Sequence, residues 1–344
     1  VVSEIAKNKT GKKKIVVASI LAALTMTANI VTVEGAIPEG TRTDHLGLAI
    51  GTSSNSKSNQ SVAIGYASSA EAPGANPENP ATAVGAGANA NGAGTVALGL
   101  SANATGTNAV ALGGGSNGGT NKTEATAANT TAIGFNAKAS KSGAAAIGSG
   151  AKASGSDSIS FGTDTVADSE KAIAIGAGSK ATNIGATALG RSSAATAASA
   201  TAVGSLASAT GTTATAVGIE ASASGAESLA IGKTASATSG RALAVGTNAK
   251  ATGASSVAVG SGAGNSGPLG FASSINSLGS VVNSLKTINY ATTAEGDYAV
   301  ALGVYANAKN SGVAVGQNAL AATGGVAIGK GVLEDTGNNL AGGV

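Results

Sequence analysis

At 344 residues the chain is long enough for two globular domains, yet 53 glycines, seven Phe plus Tyr, and no Trp or Cys leave too few large side chains to fill their cores. Most of the apolar share is alanine, which buries little surface, so the composition points to low complexity or to a repeat solenoid. The formal charge of +3 is concentrated near the N-terminus. Beyond residue 36 basic and acidic residues balance at fifteen each, and a neutral, aromatic-poor chain offers neither a phosphate footprint nor a stacking platform for nucleic acid.

The first element is an export signal. Lys12, Lys13 and Lys14 precede the apolar run Ile15 to Ile30, and small residues follow from Ala28 to Ala36, the order of n-region, h-region and cleavage zone. Ser19, Thr25, Thr27 and Asn29 make the run weak for a permanent membrane span. No clean Ala-x-Ala fixes the cleavage site. Val1 to Lys7 extend ahead of the basic cluster, further than a simple n-region requires. The absence of cysteine is compatible with export and proves nothing alone.

The tetrapeptide x-Ala-(Ile/Val/Leu)-Gly then recurs through eighteen units, with Ser160 and Phe161 the one departure, ending at Gly51 for the first and Gly329 for the last, with every step from Gly134 to Gly260 equal to 14 residues. Such counting excludes random low complexity. In the unit Gly218 to Ile231, Ala221-Ser222-Ala223 and Leu229-Ala230-Ile231 each alternate as a short strand, and Gly218 and Gly225 stand where the backbone must turn. The residue before the repeat glycine is Ile or Val in 13 of 18 units, which favours strand over helix. The unit therefore predicts one coil of a parallel β-solenoid. Which strand face lines the interior stays open at this level; the expectation is Val/Ile inside, with alanine near a subunit contact. A lone roll so thin buries little, so self-association is expected. Eighteen coils at roughly 4.8 Å each give a rod of about 85 Å.

Ser61-Val62-Ala63-Ile64-Gly65, with Gly85 to Gly92 and Gly148 to Gly155, resembles the head repeat of YadA-like trimeric autotransporter adhesins, over about residues 46 to 332. The resemblance implies an all-β, left-handed parallel β-roll of 14-residue coils, assembled as a homotrimer on the bacterial outer membrane. It also implies attachment to extracellular-matrix proteins of the collagen, fibronectin and laminin class or to other bacteria, a role in virulence, and no catalysis or cofactor. Val1 to Lys7 resemble the end of the extended signal-peptide region of large autotransporters. The stalk and membrane anchor of such adhesins are not in this sequence. The expected organisation is a partial extended signal peptide at 1–36, head coils at 37–260, an insertion at 261–298, final head coils at 299–332 and a link towards a neck at 333–344.

Three steps break the count. Gly65 to Gly85 carries six extra residues, including Pro73, Pro77 and Pro80, and must leave the ladder as a loop. Gly113 to Gly134 carries seven more, through Asn121 to Glu124. Each is open to two interpretations, a neutral bulge and a binding epitope. From Gly260 to Gly303 the step is 43 residues, and Phe271, Ile275, Leu278, Val282 and Leu285 follow a helical period, which predicts a helical insertion that tightens the trimer.

Chemistry is sparse. His45 is the single histidine and there is no cysteine, so any nucleophile–histidine or His/Cys metal arrangement would need His45, which lies just outside the roll and is read as a solvated or edge residue. Asp157, Asp164, Asp168 and Glu170 lack the spacing of calcium rolls and are read as solvated turn residues. No catalytic, cofactor-binding, metal or ligand-binding residue is assigned. The alternative function is an ice-binding or purely structural solenoid. Thr213-Ala214-Thr215 suggests the former, but Leu229 and Leu243 follow Thr215 at 14-residue intervals, where an ice face needs threonine on successive coils.

Overall fold

The 14-residue count becomes a ladder of parallel strands. The computed structural model describes residues 47–58, 60–72, 79–115, 121–262, 291–334 and 341–342, and these contain strands and turns but no helix. The chain alternates between two parallel sheets, giving one strand to each per coil. The first sheet holds nineteen strands, from Leu48–Ile50 through Val326–Ile328 to Ala341–Gly342, and the second holds eighteen, from Asn55–Ser56 to Leu333–Glu334.

Register follows the repeat. Thr201 pairs with Thr215 and Val203 with Val217, and on the next coil Thr215 pairs with Leu229 and Val217 with Ile231. The two irregular steps near the C-terminus, 13 residues each, keep the same pairing: Leu302 stands against Val315 and Val315 against Ile328. The missing residue comes from the turn before the first-sheet strand, where Gly312 and Gly325 close tight turns onto Lys309 and Ala322.

The interior corrects the expectation about strand faces. It is built of alanine, and the Val/Ile positions face outward. In the coil from Ser228 to Ala237 the four inward residues Ser228, Ala230, Ala235 and Ala237 are all buried, whereas Leu229 is half-buried and Ile231 is exposed. The turns explain this. Only four residues, such as Gly218 to Ala221, lead from the first sheet to the second, and five, such as Ser224 to Ser228, lead back, closed by hydrogen bonds from Ala221 N to Gly218 O and from Ser228 N to Gly225 O. So short a connection holds the sheets too close for facing branched side chains, and a methyl group is what fits between them. Alanine is thus held by the narrow gap between the sheets, and no subunit contact is needed to explain it.

The repeat glycine is fixed twice over. Gly218 adopts φ +133°, and a Cβ there would stand 2.5 Å from the carbonyl oxygen of Gly232 on the next coil. Most serine and threonine hydroxyls that replace alanine inside are satisfied locally, as where Thr95 Oγ1 donates to Gly92 O at 2.8 Å and Ser228 Oγ to Gly225 O at 2.7 Å, whereas the buried Ser179 Oγ has no partner among the described residues.

The insertions do not disturb the ladder. Ile64 pairs with Val84, Leu112 with Ile133 and Val259 with Leu302, as though the extra residues were absent. The second and third leave from the same corner, after the first-sheet strand, and the chain returns to the roll through a buried threonine. Thr123 Oγ1 donates to Gly134 O at 2.6 Å, and Thr292 Oγ1 donates to Gly303 O at 2.7 Å. In each case the hydroxyl reaches forward to the repeat glycine of the following coil. The roll has resumed by Ala291, with Thr293–Ala294 stacked on Lys250–Ala251. The helical period at Phe271 to Leu285, the proline loop at 73–78 and the export segment lie outside the described residues.

Candidate interaction surfaces

With the interior filled by alanine and a few serines and threonines, the larger side chains are offered outward, and the two sheets offer different chemistry. On the first sheet two parallel ladders project from each strand. The one nearest the repeat glycine is uninterrupted: every position from Ile50 to Ile328 is Ile, Val, Leu or Phe, and none is fully buried. The other mixes Leu, Val and Ile with Thr82, Thr131, Ala145, Thr187, Thr201 and Thr215. Taken as a flat strip, eighteen rungs of roughly 4.8 Å by a two-residue width near 7 Å give about 600 Å², at the upper end of patches on soluble monomers. Tyr66, Leu100, Phe135 and Ile219 extend this apolar character onto the adjoining corner, where all four are exposed.

The second sheet is polar outside and varies along the axis. Near the N-terminus asparagines stack, with Asn89 Nδ2 donating to Asn103 Oδ1 at 2.8 Å. Cross-coil ion pairs join Lys57 to Glu71 at 2.6 Å, Lys138 to Glu124 at 3.4 Å and Lys152 to Asp168 at 2.8 Å. Asp168 also accepts from Ser154 Oγ at 2.8 Å. Partial burial pushes its carboxyl upward, but the hydrogen bonds from Lys152 and Ser154, with the lysine charge, outweigh that and hold it below the usual carboxylate range. Further along, Ser208, Ser222 and Ser236 stand in register on successive coils, flanked by exposed Thr210, Ser224 and Thr238. This hydroxyl array is not evident from Thr213 and Thr215: Thr213 lies in a turn, and Leu229 and Leu243 do stack on Thr215. A 14-residue alignment of the second-sheet strands would have found it.

The acidic residues singled out in the sequence are dispersed. Asp157 and Asp164 occupy exposed turns on either side of the first-sheet strand Ile159–Phe161, and Glu170 sits in a turn 3.1 Å from Lys171. Asp168 differs from the expected solvated turn residue, being the ion-paired group just described. Among the described residues no three His, Cys, Asp or Glu side chains converge as a metal site, and His45 lies outside them.

A model of the YadA head domain repeat, written as two copies, matches residues 46–75, 80–102, 90–116, 125–151, 153–179, 181–207, 209–235, 237–263, 290–306 and 294–319. The chain belongs to this family. The gaps of more than one residue between the YadA head matches fall where the roll is interrupted, and the five consecutive matches from 125 to 263 cover the run of uniform 14-residue coils. No curated protein matches the chain.

Proposed function

We propose that this YadA-like chain is the head of a homotrimeric bacterial surface adhesin, wound left-handed, exported through its N-terminal signal and carried on the outer membrane by an anchor beyond these residues. The observation that carries the proposal is the uninterrupted aliphatic ladder on the first sheet. The narrow gap between the sheets accounts for alanine inside, but a monomeric rod in water has no reason to line its outer face with Ile, Val and Leu in place of polar residues; three rods sharing that face do. A partner must match a rung spacing of one strand per coil along the whole rod, which a second and third copy do automatically. YadA-like heads form trimers and bind host surfaces in general, and both properties fit this architecture.

The second sheet and the corners then remain for attachment to extracellular-matrix proteins of the collagen, fibronectin and laminin class or to other bacteria. Purified protein should sediment at three times the chain mass and bind at least one of these when immobilised. A folded monomer at micromolar concentration would overturn the assembly, and failure on every matrix protein and bacterial partner would overturn the adhesin. The in-register hydroxyls from Ser208 to Thr238 favour one second interpretation, an ice-binding face. Thermal hysteresis of the same preparation, lost in a Ser222→Lys variant, would establish that activity instead.

A further inference from the structure

The apolar ladder attracts copies of the chain but hardly aligns them. Between Thr131 and Val259 the first-sheet strands succeed one another every 14 residues, so in the ladder nearest the repeat glycine sliding one copy by a single coil, roughly 4.8 Å, sets aliphatic against aliphatic much as before. One coil breaks this sameness. Phe161 is the sole aromatic residue in its ladder and is 50% exposed, with Ile159 beside it at 41%. One rung earlier, Ile159's ladder carries Ala145, its smallest member, and the two are in register.

The inside of the same coil is exceptional too. Ser158, Ser160 and Thr165 replace alanine, and they divide the alanine core into one part ending at Ala153 and another beginning at Ala167. The hydroxyls of Ser160 and Thr165 are 2.7 Å apart, and Thr165 donates onward to Gly162 O at 3.0 Å. This bond ties the strand bearing Phe161 to the turn that leads into the opposite sheet, where the preceding coil has only the alanines Ala146 and Ala151.

We infer that Phe161 is the axial register key of the assembly, received in the notch that Ala145 leaves on a neighbouring copy of this chain. The inference rests on the trimer proposed above and deepens it. In register the aromatic ring occupies a gap; one coil out, it meets Thr131 or Ile159, both bulkier than alanine, and leaves the notch empty.

The test uses the absence of native cysteine. Chains carrying V217C are co-expressed with differently tagged chains carrying V203C, V217C or I231C, which lie on three successive rungs of the ladder, and the yields of mixed disulfide are compared. In the parent one pairing should dominate. F161V keeps a side chain native to this ladder and should remain a trimer, but the ratio of the dominant pairing to the others should fall about tenfold or more, since one packed aromatic per chain is lost. A145I, which fills the notch, should lower the same ratio. A trimeric F161V with the parent's pairing pattern overturns the key. A monomeric F161V beside a trimeric parent overturns it as well, because Phe161 would then hold the trimer together without setting its register. A monomeric parent overturns the trimer and the key together.

Discussion

Replacing Ala230 by leucine places three additional carbons in the gap between the two sheets. Ala230 is fully buried, with Ala216 and Ala244 in register on the coils before and after it and Ala235 and Ala237 in its own. None of these neighbours has a side chain that can move aside, and the short turns prevent the sheets from separating locally. Overpacking a well-filled core costs about 1–3 kcal/mol, and here the upper half of that range is expected, per chain. For a domain of this size that is roughly 2–6 °C in Tm, read by thermal or denaturant unfolding. Two controls make the result specific. Ser222→Leu, on the half-buried outer face of the second sheet, should stay within about 0.5 kcal/mol. Ile231→Ser, one residue from the test site but outward, should leave the roll folded and weaken the trimer. If Ala230→Leu melts with the parent while Ile231→Ser unfolds the roll, alanine does not line the interior and the face assignment is wrong.

Gly218→Ala should destabilise by about 2 kcal/mol or more, since φ is +133° and the added methyl meets a carbonyl oxygen of the next coil that cannot yield; an unchanged melting curve would refute that contact. Thr292→Val removes a buried hydroxyl bond to Gly303 O without changing shape and should cost about 1–2 kcal/mol, with faster hydrogen exchange confined to coils flanking the 43-residue step. Because the Asp168 carboxyl is held low in the folded state, its ion pair with Lys152 contributes above the unfolded value near 3.9 and is lost as pH falls through the lower folded value. Asp168→Asn should therefore flatten the acid limb of stability, by less than about 1 kcal/mol because the pair is solvent-screened, and 1 M salt should mask the difference.

The period of 14, the strand-turn-strand-turn coil and the family resemblance were legible in the sequence, because each is a property of spacing. Eighteen glycines in register require a backbone that comes back to the same place every coil, whatever fills it. The places where chain must leave the ladder were legible for the same reason, and the pairing of Val259 with Leu302 across a 43-residue step shows how firmly the register is kept. Spacing does not say which side of a strand is inside. Alternation puts Ala230 and Leu229 on opposite faces, and transfer energy alone favours the larger side chain for burial. The tertiary structure reversed that order: short turns bring the two sheets so close that alanine, with a few serines and threonines, is what fits between them, so the aliphatic residues lie outside. The hydroxyl array at Ser208, Ser222 and Ser236 and the pairing of Lys152 with Asp168 had to await the fold as well, since both join residues 14 or 16 apart that become neighbours only when one coil is stacked on the next.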